Sequence, residues 1–247
     1  MVYLVGAGPG DFELITVKGL RLLKEAEVVI YDRLVGLKIL ELINPAAERI
    51  FVGKEKSFHA RPQDEINTLL VENARKHKVV VRLKGGDPFI FGRGSEEARF
   101  LAEAGIPFEV VPGVTAASGV ATYAGMPLTD RSITPAVTFV AGHRMTGKGL
   151  DDIDWNLLAG FDHSIVFYMA LTNLGVIADN LIKCGKDAGT PAGVVQDATM
   201  KTQKTVIGTL SNIDSLVRGA GLKPPVILVV GEVVLLGESL NWFEGKA

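Results

Sequence analysis

In the first half of the chain, short runs of almost unbroken apolar residues alternate with longer segments of helical period, and that alternation excludes most folds. Val2 to Val5, Val28 to Tyr31, Arg49 to Val52, Val79 to Leu83 and Phe108 to Val111 read as strands. They are nearly all-apolar rather than alternating, the pattern of strands covered on both faces. Between them, Gln63 to Lys76 places Ile66, Leu69, Leu70 and Ala74 at near-helical spacing, with Asp64 and Glu65 suited to a positive first turn. Ser95 to Ala104 opens on a capping hydroxyl backed by two glutamates and stops at Gly105. Strands and helices in this order predict an α/β sheet with helices packed on it.

The texture changes after Pro112-Gly113. Thr115 to Ala124 reads as a small-residue helix with a threonine cap, and Pro127 and Pro135 follow it. Ala136 to Ala141, Ser164 to Phe167, Ala192 to Gln196, Thr202 to Gly208 and Pro225 to Val230 read as further strands. The two around Thr199 and Lys201 are too close for an intervening helix, which predicts a hairpin and a mixed sheet. We therefore expect two α/β domains, residues 1–114 and 115–247.

Composition removes several classes of function. Hydrophobic residues at 47% and charged ones at 22% suit a globular enzyme and are too apolar for disorder. A net charge of −2 gives no overall basic field for nucleic acid or anionic membrane. Cys184 is the single cysteine, and His59, His77, His143 and His163 are dispersed, so no metal site is expected. No apolar run approaches the roughly 18 residues of a membrane span. The absence of a signal-like start predicts a cytoplasmic protein.

Chemistry concentrates in the loops. Val81 to Gly94 begins as a buried strand and then places four glycines, Asp87, Pro88 and Arg93 in one loop. Glycine lets backbone approach a ligand at an entropic cost, and loops at strand carboxyl ends are where open α/β sheets bind small molecules. Gly6-Ala7-Gly8-Pro9-Gly10-Asp11 forms another glycine loop after the first strand. A dinucleotide fingerprint would need glycine at Asp11, although Asp32 stands about where a ribose-binding acid belongs. A nicotinamide-dependent reductase is thus the rival on motif grounds.

Several segments in order are more specific: Val5 to Asp11, Tyr31-Asp32-Arg33-Leu34-Val35, Val52-Gly53-Lys54, Leu83 to Gly94, and Val111 to Ala117. Gly125 to Arg131, Phe139 to His143 and Val229 to Val234 complete the series. The string resembles the uroporphyrinogen-III C-methyltransferases of the tetrapyrrole methylase family from end to end. Tyr31-Asp32-Arg33, Lys54 and Gly92-Arg93-Gly94 point to that branch, with Phe12 and Ser95 as small departures from its pattern.

The resemblance implies an S-adenosylmethionine enzyme with a non-Rossmann cofactor site in a cleft between two α/β domains. By similarity Pro9, Gly85, Gly86, Asp87, Ile90, Thr115, Ala116, Met169 and Ala198 line the cofactor site. Gly85 and Gly86 would admit close main-chain approach, Asp87 would accept from an ammonium or ribose hydroxyl, and Thr115-Ala116 would open a helix with free N–H groups. Asp32 is the implied proton acceptor and Lys54 the implied donor; a plain ion pair between them is the other reading. Arg33, Arg93 and Arg131 are candidates to clamp the carboxylates of uroporphyrinogen III, with Arg61, Arg82 and Arg144 behind them. For each, a solvated surface charge is the alternative. Arg93 with Glu96, one turn apart, is a second candidate for positioning or deprotonating the substrate.

Two successive C-methylations would give precorrin-2, a precursor of sirohaem and cobalamin, and two molecules of S-adenosylhomocysteine. Alternatives are a methylase of a later precorrin or of another family substrate, and a tetrapyrrole carrier. The resemblance also implies a homodimer. Sirohaem synthases carry an additional dehydrogenase and chelatase portion, which is expected to be absent here because the chain begins at the methylase-like part.

Overall fold

Five parallel strands form the sheet of the first unit of this computed structural model, which describes residues 1–53, 62–143 and 150–243. The chain divides into two compact units, Met1–Ala116 and Ala117–Ala247. In the first unit the order of elements is β1 (Val2–Gly6), α1 (Val17–Glu25), β2 (Val28–Tyr31), α2 (Leu37–Leu40) and β3 (Glu48–Phe51). After these come α3 (Gln63–Lys76), β4 (Val80–Lys84), α4 (Gly94–Glu103) and β5 (Phe108–Val111). The strands lie side by side as β3-β2-β4-β1-β5. Tyr3 stands opposite Val81 and Glu109, and Val29 opposite Val81 and Arg49, all in parallel register.

The apolar runs are covered on both sides, as their composition requires. Val5, Val29, Val81 and Leu83 pack with Leu22 and Leu23 of α1. Val2, Leu4, Val28, Ile30 and Val80 pack on the other face with Leu70 of α3 and Leu101 of α4. Fully burying one such side chain contributes about 1.5–3 kcal/mol. Because every strand runs the same way, the five carboxyl ends share one edge, and the loops of interest leave from it.

One local expectation is corrected. Ser95 does not cap α4; the cap position is Arg93, at φ 59°, and no side chain caps there. The Arg93 carbonyl accepts from Glu96 N and Glu97 N, and Gly94 N donates to Pro88 O at 2.9 Å. Backbone groups of the loop thus serve the helix start, and Ser95 lies inside the first turn.

The second unit has the sheet order β6-β7-β10-β8-β9, from β6 (Val137–Ala141), β7 (Ser164–Tyr168), β8 (Pro191–Gln196), β9 (Lys204–Thr209) and β10 (Val226–Val230). Only β6 and β7 are parallel; the other neighbours are antiparallel, so the sheet is mixed as expected. Helices α5 (Ala116–Tyr123), α6 (Trp155–Ala159), α7 (Leu174–Lys183), α8 (Ile213–Gly219) and α9 (Gly237–Leu240) accompany it. Ile165, Phe167, Val194 and Leu228 build the main core with Ile177 of α7 and Val217 of α8.

The β8–β9 hairpin forms, with Gln196 opposite Lys204. Its second strand begins at Lys204 rather than Thr202 because the preceding residues are held in a tight turn. Met200 N donates to Asp197 O at 3.0 Å, and Gln203 N to Met200 O at 2.8 Å. Among the described residues, no helix is long and apolar enough to cross a membrane, and no cluster of side chains could hold a metal ion.

Candidate functional site

Three loops leave the carboxyl ends of the adjacent strands β4, β1 and β5, and they meet backbone to backbone. Gly8 N donates to Gly86 O at 3.2 Å and Gly86 N to Gly8 O at 2.7 Å. A Cβ on Gly113 would lie 2.4 Å from Gly86 O and 2.8 Å from Gly6 Cα, so only glycine permits this crossing. Asp87 locks it: its Oδ2 accepts from Gly113 N at 3.0 Å and its Oδ1 from Phe89 N at 2.8 Å. A carboxylate has about four lone-pair sites, so Asp87 keeps acceptor capacity for a ligand.

The glycines of the Gly85–Gly94 loop are not equivalent. A Cβ at Gly85 would strike Leu34 Cβ at 2.6 Å, one at Gly92 Pro88 O at 2.8 Å, and one at Gly94 Pro88 O at 2.4 Å. Those three are demanded by the chain's own packing. Gly86 differs: at φ 67°, a Cβ would find nothing nearer than Ala116 N at 3.8 Å. A Cβ there would meet only ordinary van der Waals contacts, so bare main chain at Gly86 is demanded by its left-handed backbone and not by the chain's own packing. Pro9, Ile90, Thr115 and Ala116 are all half-buried.

Asp32 follows β2 on the same edge. Its Oδ1 accepts from Leu34 N at 3.0 Å, and its Oδ2 from Arg82 Nη2 at 3.2 Å, with 26% of the side chain exposed. Behind it lies a charge network that the sequence reading missed. Arg82 Nε donates to Glu97 Oε1 at 3.0 Å, and Lys84 Nζ to the same oxygen at 2.9 Å. Gln63 Nε2 adds a longer bond at 3.3 Å. Arg82 and Lys84 are each 4% exposed in their side chains and Glu97 is 0%. The Lys84 ammonium is also 2.9 Å from Glu97 Oε2, which has no hydrogen bond from the described residues. Burial, reinforced by the neighbouring Arg82 cation, holds Lys84 below the ordinary lysine range against the opposing pull of Glu97.

A signal for this network was present. Arg82 and Lys84 alternate in a strand otherwise buried and apolar, in phase with Val80, so both side chains face the side covered by α3 and α4. Charges there need an anion. Glu97 lies on α4 four residues before buried Leu101, on the stripe that covers that face.

The pairing of Arg93 and Glu96 forms a fork. Nε donates to Oε1 at 2.9 Å and Nη2 to Oε2 at 2.8 Å. The bond to Arg93 lowers the Glu96 carboxyl below its usual range, and the bond to Glu96 raises Arg93. Both Glu96 oxygens are engaged by Arg93, an arrangement that suits the positioning half of the expectation for this pair. Arg33 and Arg131 are exposed and form no hydrogen bond or ion pair with described residues. Lys54, Arg61 and Arg144 lie outside the described residues.

In the second unit, Met169 follows β7 and is 47% exposed, while Ala198 sits in the β8–β9 turn at 8%. Both loops carry left-handed backbone at residues other than glycine: Met169 at φ 56°, Asp197 at 48° and Thr199 at 73°. The other such residues described are Phe91 and Arg93, in the Gly85–Gly94 loop. Each costs on the order of 1–3 kcal/mol, and such strain collects at ligand sites. Ala117 N, at the start of α5, already donates to Tyr168 Oη at 3.1 Å, so that helix offers fewer free donors than its sequence suggested.

Residues 1–214 match the family described as tetrapyrrole (corrin/porphyrin) methylases. The chain belongs to that family. The siroheme synthase of Pseudomonas fluorescens is 52% identical over 244 residues, covering 99% of this chain and 52% of that protein. That of Pseudoalteromonas atlantica is 53% identical over 246 residues, covering 100% and 53%. The chain thus spans about half the length of the curated relatives it matches. Among solved structures, a uroporphyrin-III C-methyl transferase from Thermus thermophilus complexed with S-adenyl homocysteine has a TM-score of 0.80 and 41% identity. The match covers 95% of this chain and 99% of that one. A cobalt precorrin-4 methyltransferase has a TM-score of 0.83 at 30% identity, over 94% and 95%.

Proposed function

We propose that this chain transfers methyl groups from S-adenosylmethionine to two carbons of uroporphyrinogen III in succession, giving precorrin-2. The observation that carries the reading is Gly86, bare main chain at φ 67° that no packing clash demands, in a family member matching a C-methyltransferase over 99% of that chain's length. Bound S-adenosylmethionine supplies a methyl on a positively charged sulfur, already activated for attack by a nucleophilic carbon.

The protein's share is orientation and proton handling. Positioning alone corresponds to effective molarities of roughly 10⁵–10⁸ M in model reactions. Pro9, Gly85, Gly86, Asp87, Ile90, Thr115, Ala116, Met169 and Ala198 hold the cofactor in this reading, with Asp87 taking its ammonium or ribose hydroxyls. Gly85 contributes through its fit against Leu34, which sets the path of the chain into Gly86.

Methylation of a pyrrole carbon must be balanced by loss of a ring proton. Asp32 accepts it: its carboxylate is fixed by Leu34 N and Arg82, and its remaining lone pairs reach solvent. Lys54 is the proton donor by family resemblance. Arg33, Arg93 and Arg131 grip substrate carboxylates. A guanidinium has five N–H donors; Arg93 commits two to Glu96 and keeps three for a substrate. Glu96 orients Arg93. The reading includes a cytoplasmic location and a homodimer, and light scattering of the purified chain checks the dimer.

Mass analysis after incubation with uroporphyrinogen III and S-adenosylmethionine is the test: two added methyl groups are expected. Labelling of a later precorrin alone would move the assignment to that substrate, a reading the precorrin-4 enzyme's likeness keeps in view. Gly86→Ala should weaken S-adenosylhomocysteine binding tenfold or more in folded protein, and normal affinity would remove Gly86 from the cradle.

A further inference from the structure

Helix α5 is tied at both ends to the loops that carry strained backbone in the second unit. At its start, Ala117 N donates to the Tyr168 hydroxyl at 3.1 Å, and Tyr168 immediately precedes Met169. At its end, Gln203 Nε2 donates to Tyr123 O at 3.0 Å, while Gln203 Oε1 accepts from Thr199 N at 2.8 Å. Tyr168 is 7% exposed and Gln203 9%, so these bonds lie largely out of reach of water. The partners are 51, 80 and 4 residues apart in sequence.

These ties act on the residues that most need them. Met169 stands at φ 56°, and Asp197 and Thr199 at 48° and 73° enclose Ala198. A β-branched residue such as Thr199 is rarely left-handed and persists so only where its surroundings over-determine it. Asp197 supports the same turn, with Oδ2 accepting from Gln196 Nε2 at 2.9 Å and Thr202 Oγ1 at 3.2 Å. The Gln203 amide joins that turn to α5. Replacing either polar end by an apolar one would leave a buried donor or acceptor without its partner.

We propose that Tyr168 and Gln203 are positioning residues that set the cofactor contacts of the second unit. Tyr168 registers Met169 against the start of α5, and Gln203 registers Ala198 against its end. Neither side chain needs to touch the cofactor. The proposal rests on the methyltransferase reading above, and it predicts that cofactor binding, more than chemistry, depends on two side chains outside the contact set.

The test uses the full chain with Tyr168→Phe, Gln203→Leu and Trp242→Phe. The last removes another bond to the same helix, from Nε1 of the half-exposed Trp242 to Thr122 O at 2.8 Å, and no bond to either loop, while phenylalanine keeps a ring beside Tyr123. Calorimetric titration with S-adenosylhomocysteine should show affinity reduced roughly three- to tenfold in Tyr168→Phe, as the loss of one net hydrogen bond implies, and at least as much in Gln203→Leu, which loses two. The KM for S-adenosylmethionine should rise in parallel, with kcat at saturating cofactor nearly unchanged. Trp242→Phe should keep wild-type affinity. Wild-type affinity in both loop variants overturns the proposal, and so does an equal loss in all three, which would mean general loosening of the helix. If Gln203→Leu does not fold, Tyr168→Phe, which deletes one oxygen, decides alone. Absence of binding by the wild type would instead refute the functional reading itself.

Discussion

Glu97→Gln removes the only fully buried anion of the Asp32–Arg82–Glu97–Lys84 network and should be the most damaging single-charge change there. The two cations are each 4% exposed in their side chains and lie 3.0 and 2.9 Å from the lost charge. At an effective dielectric near 20, each ~3 Å contact corresponds to about 5 kcal/mol before desolvation. Removing one partner of a buried pair costs about 3–5 kcal/mol net. Two cations share this partner, whereas glutamine keeps one acceptor oxygen, so we expect about 4–5 kcal/mol. That is a large part of the roughly 5–15 kcal/mol that stabilises a typical domain.

Arg82→Met should cost less, although it removes one more side chain from the same place. Lys84 and Glu97 remain a balanced pair, and Asp32, at 26% exposure, turns to water. Both tryptophans, Trp155 and Trp242, lie in the second unit, so fluorescence does not report on the first unit directly. Urea unfolding read by hydrogen exchange of peptides from α3, β4 and α4 is the suitable assay. A Glu97→Gln protein no less stable than Arg82→Met would refute the reasoning that unpaired buried cations dominate.

Lys84 provides a test by pH. Burial lowers its folded value below the 10.5 of the unfolded chain, so the unfolded state binds more protons between the two values. Stability relative to Lys84→Met should rise as pH increases through the depressed value and level off above 10.5; a flat difference would show that Lys84 is not strained. Asp32→Asn should lower kcat at least tenfold while S-adenosylhomocysteine affinity stays the same, and undiminished turnover would take Asp32 out of the proton path. Arg93→Leu should raise the KM for uroporphyrinogen III about ten- to a hundredfold, the worth of one charge-assisted bond. Unaltered substrate kinetics would leave Arg93 as a partner of Glu96 alone.

Legibility in the sequence followed the range of the interactions involved. Gln63–Lys76 was readable to the residue because helix period and end charges are local. The β8–β9 hairpin was readable because two strand-like runs left no room for a helix. The start of α4 was misread: Ser95 has the right side chain, but the chain's path through Arg93 and the Pro88 carbonyl serves the helix first. Asp87 was read as a ligand group, and the fold also makes it the lock on Gly113.

By itself, the amino-acid order determined where strands and helices form, that the first five strands are covered on both faces, and which loops gather the glycines with Asp87 and Arg93. Periodicity and chain reach within a few residues suffice for that. Only the tertiary structure decided which loop glycine is free of a packing clash, since Gly85, Gly92 and Gly94 are claimed by Leu34 and Pro88. It alone joined Glu97 to Arg82 and Asp32, and Tyr168 and Gln203 to the two ends of α5. The physical reason is that compensating a buried charge, or satisfying a buried amide, depends on which atoms arrive within about 3 Å, and these arrive from distant stretches of chain.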